Sequence, residues 1–136
     1  MANEPVLVDS NVILDVLGHD ATWQSWSASA IERSVSSSYV AINPVIYAEV
    51  SILFSRIEDL EDAVPSELFR REQLPCEAAF VAGKCFVEYR KRGGTRTTPL
   101  PDFFIGAHAL VAGYRLLTRN ARRFRTYFPA LTLIAP

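Results

Sequence analysis

The stretch VLVDSNVILDVL, residues 6–17, decides how the chain is to be read. Val6-Leu7-Val8 is a short apolar run that stops abruptly at Asp9-Ser10-Asn11, the pattern of a buried strand reaching its carboxyl end. Asp, Ser and Asn at that point also cap a following helix, because their side-chain oxygens accept hydrogen bonds from its first free N–H groups. Asp9 therefore sits where a strand turns into a helix. In open parallel α/β sheets, ligands bind outside the carboxyl ends of the strands, so an acid there is a site candidate by geometry alone. The remainder of the chain is then searched for polar groups that return to the same edge.

A length of 136 residues fits a single domain over 1–136, large enough to bury a two- or three-layer core without staples. Cys76 and Cys85 lie nine apart in what reads as one helix, hence on opposite faces, where they cannot bridge each other. That fits a reduced, cytoplasmic protein. The longest nearly apolar runs are broken by Asn43, Glu49 and His108, so neither export nor membrane insertion is expected. The net charge of −1 conceals an asymmetry: eleven acids against two bases through Leu68, then twelve bases against four acids from Phe69 onward. The basic half clusters in Arg90-Lys91-Arg92 with Arg96 and in Arg115 to Arg125. A polyanionic partner accounts for this, and so does a solvated face with internal charge balance.

In chain order, Asn11 to Val16 continues as a short helix stopped near Gly18, and Asp20 and Thr22 offer caps for a second helix. Trp23, Trp26, Ala30 and Ile31 recur at helical spacing and are expected in the core; the Ser34 to Ser38 cluster reads as a loop. Tyr39 to Ile42 is a second strand. Asn43-Pro44 then starts a helix at once, whose residues through Phe54 are apolar almost all round and so expected to be largely buried. Glu49 is its one charge and needs a compensating partner, since desolvating a lone carboxylate is prohibitive. Arg56 to Leu74, interrupted by Pro65, reads as an outer helical excursion or partner-facing arm. A helix over Glu77 to Arg92 ends at Gly93-Gly94, and TRTTPLP delivers Asp102 to the start of another. Taken alone, Asp102 is a residue that complements the helix's positive end by about 0.3–1 kcal/mol. Arg115 to Thr118 forms a third strand with Arg119-Asn120 at its end; a short basic helix (Ala121 to Arg125) leads to a last strand, Leu131 to Ile134.

This order, with connections long enough for right-handed crossovers, predicts a three-layer α/β/α domain around a central parallel sheet of four or five strands. It gathers Asp9, Glu49, Asp102 and Asn120 at one edge, with Thr118 and Asn11 nearby. Two unit charges about 4 Å apart cost roughly 1 kcal/mol in water and about 4 kcal/mol at an effective dielectric near 20. A divalent cation relieves that repulsion, and all-oxygen donors suit Mg²⁺ or Mn²⁺ rather than zinc. His108 and His19 fit packing or surface roles. No nucleophilic side-chain arrangement and no phosphate-cradling glycine loop is present. What remains is a carboxylate-held metal that activates water and stabilises charge developing on phosphate.

The motifs VLVDSNVILD, NPVIYAEV, LPDFFIGAHAL and LLTRNARRFRTYFPALTLI, in this order and covering nearly the whole chain, resemble those of PIN-domain ribonucleases, closely the VapC-type toxins of bacterial toxin-antitoxin pairs. The resemblance implies that Asp9, Glu49 and Asp102 form an acidic metal site with Asn11 as polar support. It implies cleavage of RNA, inhibition by a small VapB-type antitoxin, and a homodimer. Many relatives carry Asp where this chain has Asn120, which can ligate through its carbonyl but brings no charge, so a one-metal mechanism is expected. In it Asp9 and Asp102 fix the metal, Glu49 orients or deprotonates the attacking water, and Thr118 and Asn120 complete the site. Arg119, Arg122, Arg123, Lys91, Arg92 and Arg96 are candidate RNA-backbone contacts, which give affinity without sequence choice. A rival reading is a catalytically inactive PIN-like module that binds RNA or protein, kept alive by Asn120. A phospho-acceptor domain needs a lysine near the acids, whereas the only lysines, Lys84 and Lys91, lie on a mid-chain helix.

Overall fold

The computed structural model describes residues 4–136. Five short strands, β1 (Val6–Val8), β2 (Val40–Ile42), β3 (Phe69–Arg71), β4 (Arg115–Leu117) and β5 (Leu133–Ile134), form one all-parallel sheet in the order β3-β2-β1-β4-β5. Seven helices connect them: α1 (Ser10–Leu17), α2 (Gln24–Ser37), α3 (Pro44–Val50), α4 (Ile57–Ala63), α5 (Cys76–Lys91), α6 (Pro101–Ala112) and α7 (Arg122–Tyr127). The sheet lies in the middle of a three-layer α/β/α sandwich.

Apolar Val6-Leu7-Val8 is fully buried because β1 is the central strand, paired with β2 on one side and β4 on the other. Strands added after β1 run to one side, through β2 to β3, before the chain returns to β4. The order therefore reverses between β1 and β4, and in such sheets the crevice at that reversal is where ligands bind. Asp9 follows β1 and Thr118 follows β4 at that crevice, tied by the Asp9 N–H donating to Leu117 O at 2.8 Å.

Local chemistry accounts for the element boundaries. Asn43 caps α3 by accepting from the Ile46 N–H at 2.9 Å, with Pro44 in the first turn. Asp20 Oδ1 accepts from the N–H groups of Thr22 and Trp23 just before α2. Gly113, at φ +77°, takes the left-handed conformation that closes α6. Gly106 lies so close to the Phe128 ring that a Cβ would stand 2.4 Å from it.

Three expectations are corrected. The Ser34 to Ser38 segment is not a loop: α2 runs through Ser37, and Ser34, buried, satisfies its hydroxyl by donating to Ala30 O within the helix. Arg56 to Leu74 is not an outer helical arm. It holds α4 and then β3, an edge strand with Phe69 turned inward and both arginines turned out. The helix after Asn43 is not largely buried: Ile46 and Val50 face the core, a 3-10 turn follows at Ser51–Leu53, and Ile52 is 82% exposed. Of the two tryptophans, Trp26 packs against the core, while Trp23 stands edge-on to it and faces Arg119. His108 is buried, hydrogen-bonded to Asn43 at 3.0 Å and held below its usual pKa by burial. No helix among the described residues is long and apolar enough to cross a membrane.

Candidate active site

The strand-to-helix turn after β1 builds the floor of the site. Asp9 is 3% exposed; its Oδ1 accepts from the Ser10 N–H at 2.8 Å and its Oδ2 from the Thr118 hydroxyl at 2.8 Å. Thr118 is itself fully buried and is reached at 3.4 Å by the Asn11 amide, while Asn11 Oδ1 accepts from the Arg119 N–H. Asp9, Asn11 and Thr118 therefore form one hydrogen-bonded unit across the β1–β4 crevice. Glu49, on the last turn of α3, accepts from the Ser10 hydroxyl at 2.9 Å. Ser10 thus links Asp9, through its N–H, to Glu49, through its side chain. Asp102, in the first turn of α6, meets Arg123 Nη1 at 3.3 Å.

The acids feel one another. Burial, Asp102 and Glu49 raise the Asp9 pKa to about 7 against the lowering effect of Thr118. Glu49 is raised by burial and by Asp102, opposed by Ser10. Asp102 is raised by burial, opposed by Arg123. All three carboxylates titrate upward, first because burial desolvates them, and for Asp9 and Glu49 also because neighbouring acids add repulsion.

Asp102 opens onto a cleft of about 640 Å³ whose other lining residues are Arg119, Asn120, Ala121, Arg122, Arg123, Thr126 and Tyr127. Asn120 is exposed there, and its N–H donates to Thr118 Oγ1 at 3.2 Å. The arginines differ. Arg119 is committed to Asp15, donating from Nε and Nη2 at 2.8 and 2.9 Å, whereas Arg122 is exposed and Arg123 half-exposed. Arg92 lies 5.3 Å from the Tyr127 ring at the cleft's border and is paired with Glu88. Lys91 and Arg96 are exposed at the end of α5 and in the connector after it, outside the cleft lining. Sequence reasoning missed two participants, Ser10 and Asp15. Asp15 carried the same signal as Glu49, a carboxylate in an otherwise apolar helix that must find a cation.

The donor set of carboxylates, amide and hydroxyls is all oxygen and suits a hard divalent cation, and the upward-shifted acids lack the charge such an ion brings. Among the described residues, no three acidic, His or Cys groups stand close enough to enclose an ion as placed. Ser10 holds Glu49 and Arg123 holds Asp102, each through one oxygen. The residues present fit the ion in chemistry, and the acids would have to close up from these positions to enclose it.

An open parallel sheet with acids collected at the crevice where strand order reverses defines a class of α/β domains whose ligands sit at that edge. Within this class, the chain belongs to the PIN-domain family, whose model matches residues 6–128. Solved structures of similar fold include VapBC-1 from nontypeable Haemophilus influenzae (18% identity, TM-score 0.71, covering 96% of each chain). Others are VapBC2 from Rickettsia felis bound to a promoter DNA fragment (17% identity, TM-score 0.70, 96% of this chain and 98% of that one) and FitAcB from Neisseria gonorrhoeae (16% identity, TM-score 0.69, 95% and 96%). Among curated proteins no match is found.

Proposed function

We propose that the chain is a divalent-metal-dependent endoribonuclease of VapC type, the toxin of a toxin-antitoxin pair, working as a single domain in the cytoplasm. The observation that carries this reading is that Asp9, Glu49 and Asp102, from three separate elements, are near enough for Glu49 and Asp102 to raise the Asp9 pKa, with Asp102 opening onto a cleft bordered by arginines. Acids that need a cation and a basic wall that takes phosphate are the two halves of a phosphodiesterase site. PIN domains generally use divalent metal ions, and Asp9, Glu49 and Asp102, with the Asn120 carbonyl, are the groups that would hold Mg²⁺ or Mn²⁺ here. Such an ion lowers the pKa of water and offsets charge developing on a phosphodiester.

The protein's own groups supply the rest. Thr118 and the Ser10 amide fix the Asp9 carboxylate, with Asn11 bracing Thr118. Ser10 holds Glu49 on the Asp9 side, where a carboxylate whose pKa is raised by burial is suited to orient water and accept its proton. Arg122 and Arg123 take the phosphate backbone of RNA, contacts that give affinity without reading sequence. The similar solved structures are toxin–antitoxin complexes, which supports a small VapB-type antitoxin as partner; a homodimer completes the assembly we propose. A second reading, a catalytically inactive module that binds RNA or protein, is favoured by one residue, the neutral Asn120 on the cleft wall.

The experiment is thermal unfolding with and without Mn²⁺, run on wild type and Asp9→Asn, together with cleavage of a mixed RNA pool by wild type and Asp102→Asn. Mn²⁺ at ten times its Kd stabilises wild type by about 1.4 kcal/mol. The stabilisation is expected to vanish in Asp9→Asn, and cleavage in Asp102→Asn with the fold intact. Undiminished cutting by Asp102→Asn would overturn the site, and Mn²⁺ binding without cutting of any RNA would favour the second reading.

A further inference from the structure

Among the described residues, Arg123 is the one guanidinium that touches any of the three acids Asp9, Glu49 and Asp102, and its environment differs from that of an ordinary structural arginine. Its Nη1 meets Asp102 Oδ2 at 3.3 Å, and among the described residues its remaining donors meet no other protein acceptor. The two side chains are 45% and 33% exposed, a setting in which an ion pair adds little stability. Asn120, three residues earlier, lines the same cleft without charge. The charge balance is specific. Three carboxylates and one guanidinium leave a net of two negative charges, which one divalent ion neutralises. A fourth carboxylate at 120 with no cation at 123 would leave four, which two divalent ions neutralise.

We propose that Arg123 is a built-in cation occupying the place on Asp102 that a second divalent ion would otherwise take. The site is then a single-ion site, and the free edge of the Arg123 guanidinium faces the cleft for a phosphate oxygen. Arginine suits this role better than lysine. Its planar fork keeps donors available for a phosphate while one nitrogen remains on the carboxylate. The inference rests on the metal site proposed above and adds how many ions it takes and why.

The test counts bound Mn²⁺ by electron paramagnetic resonance titration of the full chain, with unfolding midpoints confirming that each variant is folded. Wild type is expected to bind one ion. Arg123→Glu, which exchanges the resident cation for a carboxylate, is expected to bind two. Arg123→Gln, which removes a like charge beside the first ion, is expected to bind that ion several-fold more tightly. Two ions on wild type, one ion on Arg123→Glu, or unchanged or weaker affinity in Arg123→Gln overturns the role given to Arg123. No binding by wild type at millimolar Mn²⁺ would instead remove the metal site on which it stands.

Discussion

Two arginine–aspartate pairs follow β4, one from the loop at Arg119 and one from the first turn of α7 at Arg123, and they have opposite characters. Arg119 grips Asp15 with two hydrogen bonds, 2.8 and 2.9 Å; Asp15 is 3% exposed and also accepts from the Ser27 hydroxyl at 2.8 Å. Four residues on, Arg123 makes one contact to Asp102 at 3.3 Å in the open cleft. The first pair locks α1, α2 and the loop together, so Arg119 is spent on architecture, with Trp23 against its outer side at 5.5 Å. The second leaves most of a guanidinium free beside an acid. A run rich in arginine looks uniformly basic in sequence, yet geometry divides it into a strut and a guanidinium left largely free.

The comparison can be broken most visibly at Asp15. Asp15→Ala strands Arg119 and Ser27 in a buried setting and is expected to cost about 3 kcal/mol, a fall of roughly 10 °C in the unfolding midpoint. A loss below about 1 kcal/mol would mean the pair is no strut.

Asp9 gives a sharper, intermediate case, an acid held by a hydroxyl and an amide rather than by a cation. Its pKa is raised on folding to about 7, so its contribution to stability is complete below the ordinary carboxylate range and is lost as pH rises through about 7. In chelator, wild type should therefore lose stability relative to Asp9→Asn between pH 5 and pH 8, by on the order of 2 kcal/mol. Parallel denaturant curves at the two pH values check this, and a difference independent of pH would contradict the raised pKa of the buried Asp9 carboxyl.

The smallest effect belongs to the open pair. Arg123→Gln is expected to change unfolding stability by less than about 0.5 kcal/mol, since exposed ion pairs contribute little. A calorimetric loss near that of Asp15→Ala would erase the distinction between the two arginines.

Much of this was legible in the residues. The apolar run ending at Asp9, the Asn43-Pro44 start, and the glycine stops at 18 and 113 all mark boundaries through local rules, and the parallel sheet follows from their order. β3 was hidden because two of its three residues are arginine, Arg70 and Arg71, which an edge strand tolerates by laying Arg70 over the Tyr39 ring and bonding Arg71 to Val64 O and Glu61, contacts that a pattern of burial cannot reveal. The last turns of α2 were hidden because serine reads as a loop former, although a hydroxyl that bonds back to Ala30 O keeps Ser34 helical. At the site, the acids announced themselves by standing at strand and helix ends. Ser10 did not, because its role lies in a contact to Glu49, 39 positions away, that no local pattern encodes.

The central position of β1 has a consequence in time. Its carboxyl-end acid, Asp9, is synthesised 109 positions before Thr118, which holds it. At elongation rates of about 5–20 residues per second, Asp9 waits roughly 5–20 s for that partner. Until β4 has emerged, the crevice has only one wall, and the basic border of the cleft does not yet exist. A nascent chain that stops short of β4 therefore carries Asp9, Glu49 and Asp102 without the hydroxyl that fixes Asp9 or the arginines that border the cleft.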